Sequence, residues 1–147
     1  MKKNSLYLTV LMLLLLYAGG HARDTLIQVS IEEAITTPDA ESALDADVKF
    51  FFGEQEHPEI EQQLGTYTSN KKTNAFGKSD EKACKWAFLS AMISLQERAV
   101  AEGGNAVVNI RSFYKKHDFS SATEFECGAG AMVAGVTLVG EVVKFVE

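Results

Sequence analysis

The stretch SDEKACKWAFLSAMISLQERAVAEGGNAVV, residues Ser79 to Val108, decides the fold. It spells one long helix, a two-glycine stop and the opening of a buried strand. Ser79 or Asp80 suits the N-cap, and Asp80 and Glu81 set acid beside the unpaired N–H groups of the first turn. Cys84, Phe88, Ala91, Leu95 and Ala99 recur at three- and four-residue steps and form one face. Trp86, Leu89, Ile93 and Val100 are expected to widen that face, leaving little but Lys82, Lys85, Gln96, Glu97 and Glu102 for water. A helix this apolar needs something large and flat to lie on. Gly103 and Gly104 end it, because glycine takes the left-handed C′ conformation without penalty.

Downstream the pattern turns to β. Ala106, Val108 and Ile110 alternate with Val107, Asn109 and Arg111, and the strand is expected to continue through Phe113 and Tyr114. After a turn at residues 115–121, Thr123 to Cys127 begins the return strand. The small-residue tract Gly128, Ala129, Gly130, Ala131, Ala134 and Gly135 is expected to seat the helix, since glycine inside a strand marks close backbone approach. Val136 to Phe145 completes the sheet, with a bend near Gly140.

Upstream, Thr25 to Val29 reads as a strand, Ser30 with Glu33 as a capping box, and Pro38 to Ala43 as a helical turn. Val48 to Phe52 is a strand ended by Gly53, and an acidic loop follows to Glu61. Gln63 to Thr68 is a further strand. Residues 70–78, NKKTNAFGK, read as an exposed polar loop. The class is α+β: one long helix packed on an antiparallel β-sheet, in a single small domain with one disulfide. Residues 23–62 form an N-terminal extension of strands and short helices, and 63–147 the core.

Residues 1–22, MKKNSLYLTVLMLLLLYAGGHA, have the layout of a secretory signal peptide. Lys2 and Lys3 are its basic start, and Leu6 to Ala18 is an apolar run short for a membrane span. Gly20 and Ala22 suit the −3 and −1 positions, so cleavage is expected before Arg23. The mature chain is then expected to be periplasmic and not membrane-anchored. Removing Lys2 and Lys3 lowers the basic count from 14 to 12 against 20 acids, a net charge of −8. That balance argues against nucleic acid as a partner, since phosphate binding needs a basic surface. Two cysteines in an exported chain point to a disulfide. Cys84 lies on the apolar helix face and Cys127 on the inward face of a strand with Phe125 and Ala129, so a Cys84–Cys127 bridge is expected.

No constellation of catalytic side chains stands out. Gly77-Lys78-Ser79 imitates the end of a phosphate loop, but Lys72 stands where that loop needs glycine, so helix capping is the better reading. His57 and His117, with Glu54, Glu56, Glu59 and Asp118, lack metal-ligand spacing. Ser120, Ser121 and His117 share a polar turn rather than a nucleophile elbow. No cofactor or metal is expected, and no enzymatic activity. Lys71, Lys72, Lys78, Arg111 and Lys115 are the best basic features and form a candidate surface for an acidic partner. Trp86 is read as core, or as an interface anchor in an oligomer.

The helix–GNAVV–strand pattern resembles the YbjQ group and the globular domain of the envelope-stress lipoprotein RcsF. Cys127-Gly-Ala-Gly-Ala resembles the RcsF cysteine followed by small residues. The likeness covers about Leu64 to Val143 and implies one helix on an antiparallel sheet. RcsF-like proteins report envelope damage through protein contacts, and YbjQ-like domains form ring oligomers. The RcsF lipid-bearing cysteine has no counterpart here. By NKKTNAFGKSDEKACKWAF and GGNAVVNI, the chain also resembles uncharacterised exported proteins often labelled "excinuclease ATPase subunit". No nucleotide loop or zinc-finger cysteine set here supports that label. These likenesses imply a non-enzymatic periplasmic binding module in envelope homeostasis or stress sensing, its partner another envelope protein. An oligomeric small-ligand or metal-binding domain is the alternative, and homo-oligomerisation stays open.

Overall fold

The computed structural model describes residues 22–147, and the expected signal peptide lies outside them. Strand β1 (Thr25–Ser30) leads to short helices α1 (Ile31–Ile35) and α2 (Pro38–Ala43), then to β2 (Lys49–Phe52) and the long β3 (Ile60–Asn74). Helix α3 (Asp80–Ala101) follows, then β4 (Ala106–Ser112), a 3-10 turn (Tyr114–Lys116), β5 (Glu124–Ala129) and β6 (Val133–Phe145). The fold is α+β, one long helix on a six-stranded sheet.

β6 is the strand on which the others are built. β3 pairs antiparallel along one whole edge of it. Its other edge is shared, β4 taking the C-terminal half and β5 the first residues. β1 lies outside β5, antiparallel, and β2 outside β4. The β2–β4 pair is parallel, so the sheet is mixed at that edge and antiparallel elsewhere. The sequence could not show this: pairing direction depends on how the chain travels between β2 and β4, and α3 supplies the crossover.

α3 forms as its sequence dictates. The Ser79 side chain accepts from Lys82 N–H, with Asp80 and Glu81 in the first turn. At the other end Gly103 has φ +77, its N–H donates to Val100 O, and Gly104 N–H donates to Ala99 O. These two bonds are the Schellman pattern, satisfying carbonyls the helix leaves open. Cys84, Phe88, Ala91, Leu95 and Ala99 are buried as expected, joined by Ala83, Ala87, Leu89 and Met92. Trp86 (40% exposed) and Val100 (61%) are not part of that face. The buried arc is completed by alanines, which let the helix axis approach the sheet closely.

Between helix and sheet Phe88 stacks on Phe125, centroids 4.1 Å apart, and lies tilted against Phe52 at 6.0 Å. Cys84 and Cys127 form the disulfide, tying α3 to β5 with Cα atoms 5.8 Å apart. Across a separation of 43 residues such a closure stabilises by about 4 kcal/mol in the chain-entropy model. A smaller cluster of Ala106, Val108, Val143 and Phe145, with Phe51 and Ile60, lies on the sheet's other face.

Three strand details depart from the plain alternating pattern. Asn109 has φ +49 and the β4–β6 register shifts between Val108 and Arg111, a bulge that puts Val107 and Ile110 together on the helix face. Gly140 makes room for them: a Cβ there would fall 2.6 Å from Val107 Cγ1 and 3.3 Å from Ile110 Cγ1. β6 runs through Gly140 unbroken, and the glycine there serves this close packing. β4 stops at Ser112, and Tyr114 begins the 3-10 turn, where Lys115 and Lys116 both take positive φ.

Candidate functional site

The longest departure from expectation is β3. The residues expected as a loop from Asn70 onward continue the strand to Asn74, and the loop is confined to Ala75–Ser79. Polar composition misled the sequence reading, because a strand at a sheet edge needs few apolar residues. β3 has β6 on one side, and no other strand pairs with it among the described residues.

The ladder fixes which backbone groups lie open. Ala75 N–H donates to Met132 O at the end of the β3–β6 ladder, while Phe113 N–H donates to Thr137 O across the other edge of β6. Alternation along an antiparallel ladder then turns Tyr67, Ser69, Lys71 and Thr73 toward β6, and turns the N–H and C=O of Thr66, Thr68, Asn70 and Lys72 outward. The side chains divide likewise. Tyr67, Ser69, Lys71 and Thr73 stand opposite Gly140, Leu138, Val136 and Ala134 on the helix face, and Thr66, Thr68, Asn70 and Lys72 on the reverse face. Arg98 of α3 lies over the Tyr67 ring, 4.6 Å from its centroid, and Tyr67 Oη donates to Leu64 O. Ser69 Oγ is buried on the helix face with no hydrogen-bond partner.

The five expected basic residues are spread over both faces of the sheet. Lys71 and Lys72 point to opposite faces of β3, and Lys78 Nζ donates to Asn74 O, 3.0 Å away. Arg111 pairs with Asp118 at 3.1 Å. Lys115 pairs with Asp24, beside which Tyr114 Oη donates to Asp24 Oδ1 at 3.1 Å. The Lys115 ammonium holds the Asp24 carboxyl below its ordinary range against the burial that pushes it up, and the Tyr114 hydroxyl helps it. Burial, then the Asp24 bond, pushes the Tyr114 phenol up.

Sequence reasoning missed this clasp. The Tyr114 ring covers Gly128 and Gly135 on the face away from the helix: a Cβ on Gly128 would fall 2.2 Å from Tyr114 Cζ, and one on Gly135 3.0 Å from Cε2. The small-residue tract therefore serves two partners. Ala129 and Ala134 are in the core under α3, as expected, but Gly128 and Gly135 receive Tyr114. Beside them Glu126, only 3% exposed, bonds His117 Nδ1 at 2.7 Å, and its backbone N–H donates to Ser112 Oγ. Its place between inward Phe125 and Cys127 marked it for the reverse face; its burial comes from the turn folded over it.

The histidines part company. His57 stacks on Phe145 with centroids 5.7 Å apart, while His117 goes to Glu126. Among the described residues no group of three or more His, Cys, Asp or Glu side chains could hold a metal ion. Ser121 Oγ accepts from the N–H groups of Thr123 and Glu124 as turn chemistry. Between α2 and α3 lies a groove of about 510 Å³ lined by Pro38, Lys82, Trp86 and Leu89 among others. No helix among the described residues is long and apolar enough to cross a membrane. No known family, curated protein or solved structure matches the chain.

Proposed function

We propose that this chain is an exported, non-enzymatic binding module that engages another envelope protein by adding an extended segment of it to the β3 edge. The observation that carries the reading is the outer side of β3, unpaired among the described residues, a row of backbone donors and acceptors from Thr66 to Lys72. An edge of this kind recruits a strand through main-chain bonds, with side-chain contacts supplying the selection. Lys71 and Lys72 guard such an edge against a second copy of itself, since like charges repel, and they favour an acidic partner. The export-type N-terminus and the disulfide support a periplasmic setting for this reading.

Site-specific photo-crosslinking in the living cell tests it. A photo-reactive residue at Thr68 or Asn70 is expected to give one discrete adduct with another envelope protein, and Glu97 on α3 none. Lys71→Glu with Lys72→Glu is expected to abolish the adduct while the fold stays intact by circular dichroism. Equal labelling from Asn70 and Glu97, or an adduct only with this chain, would contradict the reading. A second reading, a small-ligand domain, draws on the α2–α3 groove, whose volume suits a small molecule. Trp86, the chain's sole tryptophan, lines it, so a ligand there is expected to shift Trp86 emission.

A further inference from the structure

One end of the molecule gathers exposed apolar side chains that the sheet does not explain. Ala75 N–H donates to Met132 O at 2.9 Å, so the turn after β3 lies against the hairpin turn between β5 and β6. Phe76 (68% exposed) and Met132 (61%) thus project from adjacent turns, with exposed Val133 one residue on. Burying such side chains in solvent-free surroundings is worth far more than leaving them in water, and here no residue of the described chain covers them.

Two further facts say what covers them. The first is where the chain arrives: Gly130, in the same hairpin, has Arg23 O so close that a Cβ would fall 2.9 Å from it, and β1 starts opposite Ala129. Arg23, a cation that stays with the chain after the expected cleavage, is therefore held at this end. The second is charge. In a chain with 20 acids against 14 basic residues, Arg23 is paired here with Asp80 and Lys115 with Asp24, and Lys72 and Lys78 are the cations beside the apolar turns that hold no acid among the described residues. Lys78 follows Phe76 by two residues, and Lys72 Cγ would lie 3.6 Å from a Cβ on Gly135 in β6. Arg23 holds Asp80 through two bonds of 2.8 Å, so the residues leading into β1 are fixed to the start of α3.

We propose that the Phe76–Met132–Val133 tip is a peripheral membrane contact, its apolar side chains entering the headgroup boundary of an anionic bilayer while Lys72 and Lys78 meet lipid phosphates. Apolar residues ringed by cations are the general chemistry of such contacts. α3 starts at this end, and its far end, with Val100, lies about 30 Å away at the rise of an α-helix. The surface at Val100 therefore points away from the bilayer.

The test uses the full chain carrying Trp86→Phe and Phe76→Trp, so that emission reports from the tip alone. With vesicles of phosphatidylglycerol and phosphatidylethanolamine, the emission is expected to shift to the blue and to be quenched by brominated acyl chains. With phosphatidylcholine alone the response is expected to fall. Met132→Ser with Val133→Ser is expected to weaken the response about tenfold or more. Lys78→Glu is expected to weaken the preference for phosphatidylglycerol vesicles by about fivefold or more, and Val100→Ser to change nothing. An unchanged spectrum with anionic vesicles overturns the proposal, as does a shift that Met132→Ser with Val133→Ser leaves intact. A shift that grows with protein concentration and needs no lipid also overturns it, making the tip a contact between copies. Loss of the β3-edge adduct with this response retained would sink the edge reading alone.

Discussion

The two faces of the sheet are held by different means. Under α3 the layer is dry and aromatic, closed by the Cys84–Cys127 bridge and shaped by a bulge and a glycine that fit Val107 and Ile110 to one another. On the reverse face a small apolar cluster sits at one end, and at the other a tyrosine ring rests on two glycines, fastened by Asp24 and Lys115, near a buried glutamate that bonds the histidine of the same turn. The first side is built for stability. The second holds a strained turn and the polar side chains of β3 in place at modest energetic cost, beside an edge left unpaired.

If that division is right, the largest loss comes from the helix side. Replacing Cys84 and Cys127 together by alanine is expected to cost about 4 kcal/mol in urea unfolding, through the freed denatured chain. A cost below about 1 kcal/mol would mean that α3 is held by packing alone. On the reverse face Gly128→Ala is expected to cost about 1–3 kcal/mol by forcing the Tyr114 ring away. In a Tyr114→Ala background the same change is expected to cost almost nothing, and a double-mutant cycle reads the difference. Ser69→Ala is expected to add about 1 kcal/mol, since it removes a buried hydroxyl that has no partner.

The smallest effect separates the faces by pH. The Asp24 carboxyl is held below its ordinary 3.8, so its contribution is present above that value and is lost as pH falls through the lower folded one. Exposure and solvent screening keep it under about 1 kcal/mol. Acidification through that lowered value is expected to free the Tyr114 ring, read by its NMR signals, while the Phe88 and Phe125 signals keep their positions. Asp24→Asn is expected to remove that step. If both sets of signals move together, the clasp is part of one cooperative core.

Much of the helix side was legible in the sequence. Cys84, Phe88, Ala91, Leu95 and Ala99 sit at helical spacing, Ser79 and Gly103 mark the ends, and the period-two placement of Cys127 put both cysteines in one core. These are local patterns, and local geometry enforces them. The rest depends on contacts distant in sequence. Tyr114 finds Gly128 and Gly135 only once β5 and β6 are paired, and Asp24 meets Lys115 across 91 residues. The polar run from Asn70 to Asn74 reads as loop because an edge strand exposes most of its side chains, and composition alone cannot separate the two. The parallel β2–β4 pair likewise left no mark on either strand's composition.

The claim that the β3 edge is open in the isolated protein can be read amide by amide. Native-state hydrogen exchange followed by NMR is expected to divide the strand: Tyr67, Ser69, Lys71 and Thr73, bonded to β6, protected close to the global stability, and Thr66, Thr68, Asn70 and Lys72 exchanging orders of magnitude faster. Protection of both sets alike would contradict the account, because the outer edge would then already be covered.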